Sequence, residues 1–496
     1  MRRWYALLAA LALLASPALG AAPVTLTLLH FNDDYQLGAV DQGKAGGLDR
    51  LATVVKRVRQ TDPEAMLLFA GDLISPSVES SVFKGAQLID GFNRLGVDAA
   101  TPGNHEFDYG PQVLQQRLAE SRFPWVVTNV LRRDFSRLPG THLVLTRTVR
   151  GIPVGIFGLL TTETAIASSP GPDILFLDEV GAARAAVPLL RRRGARVVIG
   201  LTHVSMATDQ AVARAVPGIA VIVGGHEHEP LRAMVDGTLI RKAGSDARYL
   251  GVIRLTVAPD GATLNVTDEL IPITDQIPPD PAMAALVQQY AARLSRELDV
   301  VVARTQVPLD ARNATVRARE SNLGNLIADI MRAAVGADVA ITNGGGIRTN
   351  ALFPAGPITR RDVLAWLPFG NIVVKIRITG ATLRAALENG VSQVENLSGR
   401  FPQVSGLRYT FSPGRPPGQR ILEVTVDGRP LDPQATYTVA TNDFMLNGGD
   451  GYSMLRDAEV LVSPASGPVM ATAVIEALQR MQTVAPQVEG RIQVAP

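Results

Sequence analysis

A short stretch between two glycines, residues 103–110, packs an amide, an imidazole and two carboxylates into five positions. It follows the apolar run Val97–Ala100. α/β proteins place their chemistry in such glycine-flanked polar clusters at the ends of strands. Asn104 offers a metal ion a hard oxygen, His105 can move a proton or bind a phosphoryl oxygen, and Asp108 can orient that imidazole. Taken alone, the stretch is also compatible with a polar turn between a strand and a helix.

Similar polar groups follow other apolar runs in the first half of the chain. The candidate metal ligands are Asp33, Asp72, Asn104, His203, His226 and His228. Carboxylate, amide and imidazole groups suit zinc, manganese, iron or cobalt, whereas calcium prefers oxygen ligands alone. The sequence has no cysteine, which excludes a zinc site with thiolate ligands. A single histidine in such a turn is more often structural. Four of the six histidines lie in these turns, however, and the joint pattern predicts a metal centre.

The elements that must position these residues are short apolar strands alternating with amphipathic helices. Leu48–Arg59, for example, has apolar residues at the spacing of one helix face. Strands are predicted at Val24–His30, Met66–Ala70, Val97–Ala100, Ile152–Leu159, Val197–Leu201 and Ile219–Val223. The candidate ligands come directly after these strands or within a few residues of them. This alternation predicts an α/β sheet with a site along one edge.

The length of the chain, 496 residues, exceeds what one hydrophobic core usually supports, so two domains are predicted. The segment 275–281 contains three prolines and is typical of a linker. Asp280 and Pro281 are suited to begin a connecting helix that continues over Ala282–Leu298. A second α/β unit follows, with a helix over Asn322–Val335 and strands at Asp338–Thr342, Ile372–Ile378, Ile421–Val426 and Tyr437–Thr441. The predicted domains are residues 23–274 and 301–496, joined by residues 275–300.

The N-terminal segment, residues 1–22, has the pattern of a signal peptide. Arg2 and Arg3 precede the apolar run Trp4–Ala15, and small residues follow, so we expect cleavage after Gly20 or a residue or two later. Removing this segment changes the formal charge from +2 to zero, which argues against a nucleic acid polymer as partner. No other stretch is long and apolar enough for a membrane span. We expect an exported protein in the periplasm or cell envelope, as a monomer or dimer.

The sequence resembles a known family in nine blocks that occur in the family's order. Five resemble the calcineurin-like metallophosphatase domain: L-H-F-N-D (29–33), G-D-L-I-S (71–75), G-N-H-E-F-D-Y-G (103–110), T-H-V (202–204) and G-G-H-E-H (224–228). Four resemble the C-terminal domain of the 5′-nucleotidase family: R-E-S-N-L-G-N (319–325), N-G-G-G-I-R (343–348), L-P-F-G-N (367–371) and N-G-G-D-G-Y (447–452). The resemblance implies a four-layer α/β-β/α sandwich, a linker helix and a second, smaller α/β domain.

The resemblance also implies a centre of two divalent metal ions, zinc, manganese, cobalt or iron, bridged by Asp72. Asp33 and His228 would complete the first site; Asn104, His203 and His226 would complete the second. Such a pair polarises a phosphoryl group and supplies hydroxide near neutral pH. His105 would stabilise the phosphoryl transition state, with Asp108 fixing its tautomer.

One position departs from the family pattern. Many members carry a further histidine ligand two residues after the first aspartate, and here that position is Tyr35. A neutral phenol is a poor ligand, so we expect the first metal to be held more weakly or with the help of water. Asp34 is expected to point away from Asp33 because side chains alternate along a strand.

The second half carries residues that match the family's substrate pocket. Phe369 and Phe444 match a pair that sandwiches the base, a stacking contact worth roughly 1–3 kcal/mol per base. Residues matching phosphate or sugar contacts are Arg319, Asn343 and Arg348, and Asp450 matches a contact to the ribose hydroxyls. Either phenylalanine alone is more often a core residue, but both lie beside glycines, which favours a cleft. The resemblance implies that domain rotation brings base clamp and metals together.

These observations predict an exported metal-dependent 5′-nucleotidase that cleaves nucleoside monophosphates, with diphosphates and UDP-sugars as further candidate substrates. One alternative is a 2′,3′-cyclic-nucleotide 2′-phosphodiesterase/3′-nucleotidase, and another is a family branch acting on a sulfur substrate. A third is a non-catalytic nucleotide-binding protein. Tyr35 is the only residue favouring that interpretation, whereas His105 and Asp108 argue against it.

Overall fold

A computed structural model of the chain describes residues 22–464 and 467–495. The predicted signal peptide lies outside the described residues except for Ala22. The chain forms two α/β units joined by a helix, and the predicted fold class is confirmed. None of the described helices is both long and apolar enough to cross a bilayer.

The first unit contains two large mixed sheets. The seven-stranded sheet has the order Thr263–Pro272, Tyr249–Val257, Val24–Phe31, Met66–Ala70, Ala99–Thr101, Trp125–Val126, Thr141–His142. The six-stranded sheet has the order Arg232–Val235, Thr238–Lys242, Val221–Gly224, Val197–His203, Ile152–Leu160, Val144–Val149. The central strands of both sheets run parallel, so each sheet gathers several carboxyl ends at one edge.

The two sheets pack face to face, and helices cover their outer faces. In the strand Val24–Phe31, Leu26 and Leu28 contact the core between the sheets, whereas Leu29 and Phe31 contact the core beneath the helices. Side chains that alternate between two buried faces explain why this strand is apolar throughout. The result is the four-layer α/β-β/α sandwich that the resemblance implies. Its helices are Leu48–Thr61, Val78–Phe83, Ala86–Leu95, Gly110–Glu120, Thr164–Ala167, Glu179–Arg192 and Met206–Ala215, with a 3₁₀ turn at Asn104–Phe107.

The first unit also has two small pairs of strands. They are Ala39–Val40 with Ala45–Gly46, and Val130–Arg132 with Ile174–Phe176. The predicted strand Val97–Ala100 is shorter than expected and begins at Ala99. Gly96 adopts φ 73° at the end of the preceding helix, and the Val97 amide donates to the carbonyl oxygen of Phe92, which delays the strand.

The second unit is built on a five-stranded sheet and two smaller sheets. The five strands are, in order, Pro402–Ser405, Val339–Asn343, Thr436–Asn442, Val373–Thr379 and Glu459–Val462. The four-stranded sheet has the order Arg429–Pro430, Ile421–Val426, Leu407–Phe411, Ile492–Val494, and the three-stranded sheet Gly356–Thr359, Val301–Thr305, Thr483–Val484. Leu309–Asp310 pairs with Leu352–Phe353. The helices are Asn313–Val316, Asn322–Val335, Arg360–Trp366, Gly380–Val391, Asp443–Leu446 and Met470–Met481.

The helix Asn322–Val335 confirms the sequence prediction residue for residue. The Ser321 side chain accepts from the Gly324 amide at its start, and Gly336 ends it in the left-handed conformation. Short 3₁₀ turns lie at Gly344–Gly346, Val394–Asn396, Gly449–Gly451 and Ser453–Leu455. The first and third of these turns carry the glycine-rich segments of the predicted substrate pocket.

The connecting helix is Pro281–Leu298, in agreement with the prediction to within one residue. The Asp280 side chain accepts from the Met283 amide at 3.1 Å and also pairs with Lys56 of the first unit. Met283 and Leu286 are buried in the core beneath the first sheet. The cap and these contacts fix the start of the helix against the first unit.

Asp280→Ala should destabilise the first unit by about 1 kcal/mol because it removes the helix cap. We expect a melting temperature lower by about 2 °C in a thermal unfolding scan. Lys56→Ala, which loses the solvent-exposed ion pair but keeps the cap, should shift it by less than half as much. Equal shifts in the two variants would contradict the capping role.

Candidate active site

The six candidate metal ligands come from both sheets of the first unit. Asp33, Asp72 and Asn104 follow three adjacent parallel strands of the first sheet, and His203 ends a strand of the second. His226 and His228 lie in the loop after the neighbouring strand Val221–Gly224. The packing of the two sheets brings these edges together.

Four of these side chains are in direct contact. The Nε2 atom of His203 lies 3.2 Å from Asp72 Oδ2 and 4.0 Å from Asp33 Oδ1. The Nε2 atom of His228 lies 3.2 Å from Asp33 Oδ1. The ring of His226 lies 5.2 Å from that of His203, measured between centroids. Both aspartates and His203 are buried, whereas the His228 side chain is 38% exposed. The two carboxylates and His203 form a group able to hold a metal ion.

Backbone geometry marks these loops as specialised. The φ angles of Asp33, Asp72, His226 and His228 are 52°, 67°, 98° and 61°, in the left-handed region. Such conformations cost on the order of 1 kcal/mol or more in residues other than glycine and concentrate at functional sites. Hydrogen bonds hold them here: the Asp33 amide donates to Gly71 O at 2.9 Å, and the His226 amide to Asp33 Oδ2 at 2.9 Å.

The donor set fits a metal ion. Within the described ranges, Oδ1 of Asn104 is buried without a hydrogen-bond partner, as an atom reserved for a metal would be, and Nε2 of His203 faces the carboxylates of Asp72 and Asp33. Nδ1 of His203 lies 2.8 Å from the carbonyl oxygen of Ala70 and donates to it, so Nε2 is the ring nitrogen that faces the carboxylates. The structure therefore offers a buried amide oxygen and an imidazole nitrogen, together with two buried carboxylates, as metal ligands.

Electrostatics also favour a cation at this point. Burial lowers the pKa of His203, but Asp72 and Asp33 outweigh burial and raise it to about 10. Burial acts to raise the pKa of Asp72, yet His203 and His105 bring it below its usual range. The negative charges of Asp33 and Asp72, which favour a proton on His203, would also attract a divalent metal ion.

His105 lies beside this cluster and is held by two contacts, one of which is supported by a third residue. Its Nδ1 lies 2.7 Å from Asp108 Oδ2, and its backbone amide donates to Asp72 Oδ1 at 2.9 Å. Ser168 Oγ donates to Asp108 Oδ1 at 2.7 Å. Burial lowers the pKa of His105, but Asp108 and Asp72 outweigh it and raise this pKa to about 9. The imidazole is thus fixed in orientation and positively charged at neutral pH.

A cavity of about 340 Å³ lies between the two units, beside His105. The first unit contributes Asn104, His105, Asp108 and Ser168, and the second contributes Arg317, Asn343, Arg348, Phe369, Phe444 and Asp450. The rings of His105 and Phe369 stack at 6.0 Å with an interplanar angle of 21°, and the Arg348 guanidinium lies 5.2 Å from the Phe369 ring. A cavity with aromatic, cationic and anionic walls next to a metal cluster suits a phosphorylated aromatic molecule.

Comparison with known proteins identifies the family. The calcineurin-like phosphoesterase family matches residues 26–230, and the 5′-nucleotidase C-terminal domain matches residues 301–457. The 5′-nucleotidase of Bos taurus is 30% identical over 98% of this chain and 94% of its own length. The chain belongs to the 5′-nucleotidase family.

Two other relatives agree with this assignment. The trifunctional nucleotide phosphoesterase protein YfkN of Bacillus subtilis is 35% identical over 94% of this chain, which spans 35% of the length of that protein. The crystal structure of a 5′-nucleotidase precursor from Thermus thermophilus is 35% identical, with a TM-score of 0.79 over 95% of this chain and 99% of that one. The predicted family is confirmed, and the chain is a metal-dependent phosphoester hydrolase.

One predicted substrate residue of this 5′-nucleotidase family member lies elsewhere. Arg319 is exposed and is absent from the described lining of the cavity, whereas Arg317 is part of that lining. Burial lowers the pKa of Arg317. The two arginines are separated by one residue just after the helix Asn313–Val316, and the sequence alone offers no basis for choosing between them.

Glu106 supports the site and was not among the residues predicted from sequence. Its buried carboxylate accepts from the backbone amides of Asp72 at 3.0 Å, Leu73 at 2.7 Å and Gly103 at 2.6 Å. It therefore connects the loops that carry two candidate ligands, Asp72 and Asn104. Its position within the polar stretch 103–110 is the sequence feature that could have indicated this role.

Lys242 has the same role for the histidine loops of this family member. Its buried Nζ donates to the carbonyl oxygens of Val204 at 2.6 Å and Gly225 at 2.8 Å, and it pairs with Glu227 and Asp209. The ammonium thus joins the loop after His203 to the loop around His226. Lys242 lies in a strand with no polar motif, so no sequence signal indicates its role.

Glu106→Gln should weaken metal binding. The glutamine side chain would place its NH₂ group opposite a backbone N–H that now donates a hydrogen bond to Glu106, and that bond would be lost. Loss of one buried hydrogen bond costs roughly 1–3 kcal/mol. We expect about tenfold weaker Mn²⁺ binding by calorimetry. Glu297→Gln, on the exposed side of the connecting helix, is the matched control and should leave affinity unchanged. Unaltered Mn²⁺ affinity in Glu106→Gln would show that the carboxylate does not position the ligands.

Proposed function

We propose that this family member is an exported 5′-nucleotidase that hydrolyses nucleoside 5′-monophosphates to nucleoside and phosphate. One observation carries the proposal. The cavity between the units has two phenylalanines at its second-unit wall and Asn104 and His105 at its first-unit wall. A nucleoside monophosphate has the matching arrangement, with an aromatic base at one end and a phosphate at the other. The pattern of residues 1–22 supports export.

The proposed metal centre holds two divalent ions. Asp33, Asp72 and His228 would hold one, and Asp72, Asn104, His203 and His226 the other. Zinc, manganese, cobalt and iron all suit this mixed oxygen and nitrogen set. When bound, such ions supply Lewis-acid polarisation of the phosphoryl group.

His105 is the proposed partner of the phosphoryl oxygens. Its Nδ1 is paired with Asp108, and this contact leaves the second ring nitrogen available to the cavity. A fixed imidazolium can stabilise negative charge that develops on phosphoryl oxygen and needs no reorganisation to do so. Ser168 keeps Asp108 in place through its hydrogen bond.

The second unit supplies the proposed nucleoside site. Phe369 and Phe444 would stack on the base from either side, and Arg348 with Arg317 would neutralise phosphate charge. Asp450 would accept from the ribose hydroxyls. The Asn343 side chain donates to Asp450 Oδ2 at 2.7 Å and leaves Oδ1 for the sugar. Because both units form the cavity, the substrate would be bound across their interface.

A substrate panel tests the proposal directly. AMP, 3′-AMP, 2′,3′-cyclic AMP and UDP-glucose should be compared with the full chain in the presence of Mn²⁺. We expect the largest kcat/KM for AMP. A larger value for 2′,3′-cyclic AMP would favour the cyclic phosphodiesterase alternative, and binding of AMP without hydrolysis of any substrate would favour a nucleotide-binding protein.

His105→Ala should lower kcat for AMP by about 10²–10⁴-fold because the charge facing the phosphoryl group is lost. Metal content, measured by mass spectrometry of the purified protein, should stay unchanged. His142→Ala, which removes an exposed imidazole of the same unit, is the control and should retain full activity. Loss of metal from His105→Ala would mean that the residue acts in metal binding instead.

Phe444→Ala should raise KM for AMP roughly tenfold because one face of the base loses its stacking partner. Hydrolysis of p-nitrophenyl phosphate, which has no base or ribose, should change less than about twofold. Phe135→Ala, which alters a side chain that is 72% exposed, is the control. Equal loss for both substrates would argue against a base clamp.

A further inference from the structure

The residue that departs from the family pattern, Tyr35, lies inside the candidate metal cluster. Its hydroxyl oxygen is 3.3 Å from Asp33 Oδ1, 3.2 Å from Asp72 Oδ2 and 2.8 Å from His228 Nε2. The side chain is buried, and its ring lies 5.4 Å from the ring of His228. A single hydroxyl therefore touches every proposed ligand of the first metal site.

A hydroxyl proton cannot satisfy these partners. Tyr35 has one proton to donate, whereas two carboxylate oxygens and an imidazole nitrogen surround it. Both carboxylates are buried, and the other groups beside these oxygens are imidazoles, with His203 Nε2 3.2 Å from Asp72 Oδ2 and His228 Nε2 3.2 Å from Asp33 Oδ1. A cation at this point would satisfy all of these atoms together.

The spacing of these atoms is that of a coordination sphere. Metal–ligand distances of about 2.0–2.2 Å put neighbouring ligand atoms about 3 Å apart. The three distances from the Tyr35 oxygen are 2.8, 3.2 and 3.3 Å, and His228 Nε2 lies 3.2 Å from Asp33 Oδ1. An ion at bonding distance from Asp33, Asp72 and His228 would also be within reach of the phenol oxygen.

A second cavity gives access to this position. It has a volume of about 280 Å³, and Tyr35, His228, Asp246 and Arg348 are among the residues that line it. The first metal site therefore has an approach that is separate from the wall carrying Phe369 and Phe444. Tyr35 and His228 both line this second cavity.

We propose that Tyr35 is a metal ligand, and that its side-chain oxygen joins Asp33, Asp72 and His228 in the first site. This inference rests on the proposed metal centre. On binding, the metal–oxygen bond replaces the O–H bond and the proton passes to the buffer, so the oxygen binds as phenolate. An anionic oxygen in place of a neutral imidazole favours a harder ion of higher charge, and ferric iron is the ion expected to gain most.

Ferric iron is the probe because phenolate bound to Fe³⁺ absorbs visible light through charge transfer. The full chain, stripped with a chelator and given Fe³⁺, should show this band with one equivalent of iron bound. Tyr35→Phe, which keeps the ring and loses only the oxygen, should lose the band and bind Mn²⁺ at least about tenfold more weakly by calorimetry. Tyr109→Phe removes another phenol of the first unit, whose hydroxyl donates to Pro368 O at 3.1 Å; it is the matched control and should keep the band.

Tyr35→His gives a second readout that does not depend on the behaviour of the phenylalanine variant. It should bind Mn²⁺ within about threefold of the unaltered chain, because it supplies the ligand typical of the family, yet show no band. A band that persists in Tyr35→Phe, iron bound without a band, or equal Mn²⁺ affinity in the unaltered chain and Tyr35→Phe would overturn the assignment. If AMP hydrolysis survives in those cases, the proposed function stands and only the Tyr35 inference fails. Failure of the unaltered chain to bind any of these metals would overturn both.

Discussion

The carboxylates of Asp33 and Asp72 are buried side by side at the joined edges of two sheets, and they repel each other. The surrounding structure must compensate this repulsion. Two anions in a medium of low polarity are stable only beside compensating positive charge. The surrounding chain supplies part of that compensation through backbone amides and His203, and leaves open ligand atoms for the remainder. Both aspartates have a left-handed backbone, which raises the conformational free energy of the folded chain.

Support for this centre comes from side chains that touch no substrate. Glu106 connects loops of the first sheet, and Lys242 connects the histidine loops of the second. Each is a buried polar group bonded to backbone atoms of two loops, so each fixes main-chain positions as well as side-chain directions. The second unit contributes in a different way. Its residues reach the centre only across the cavity, where Phe369 and Arg348 face His105 and Tyr35.

Much of this could be predicted from sequence, for physical reasons that differ by residue. The helix Asn322–Val335 has a cap at each end and an apolar face, so local signals determine its bounds. Strands buried on both faces are continuous apolar runs, and the polar residues after them indicated the cluster. Glu106 and Lys242 act through contacts to residues distant in sequence, which no local pattern encodes. The choice between Arg317 and Arg319 depends on backbone direction, and the contacts of the Tyr35 hydroxyl form only when the loops of Asp33, Asp72 and His228 meet.

The connecting helix has a mechanical consequence. Met283 and Leu286 near its start and Leu294 and Leu298 near its end are buried, the first pair in the core of the first unit and the second pair against Phe83. The helix is therefore packed against the first unit near both of its ends. The end of the helix also contacts the second unit, through Leu364 and Arg361. A rotation of one unit against the other would therefore have to break these contacts and be taken up by the residues between Leu298 and the strand beginning at Val301.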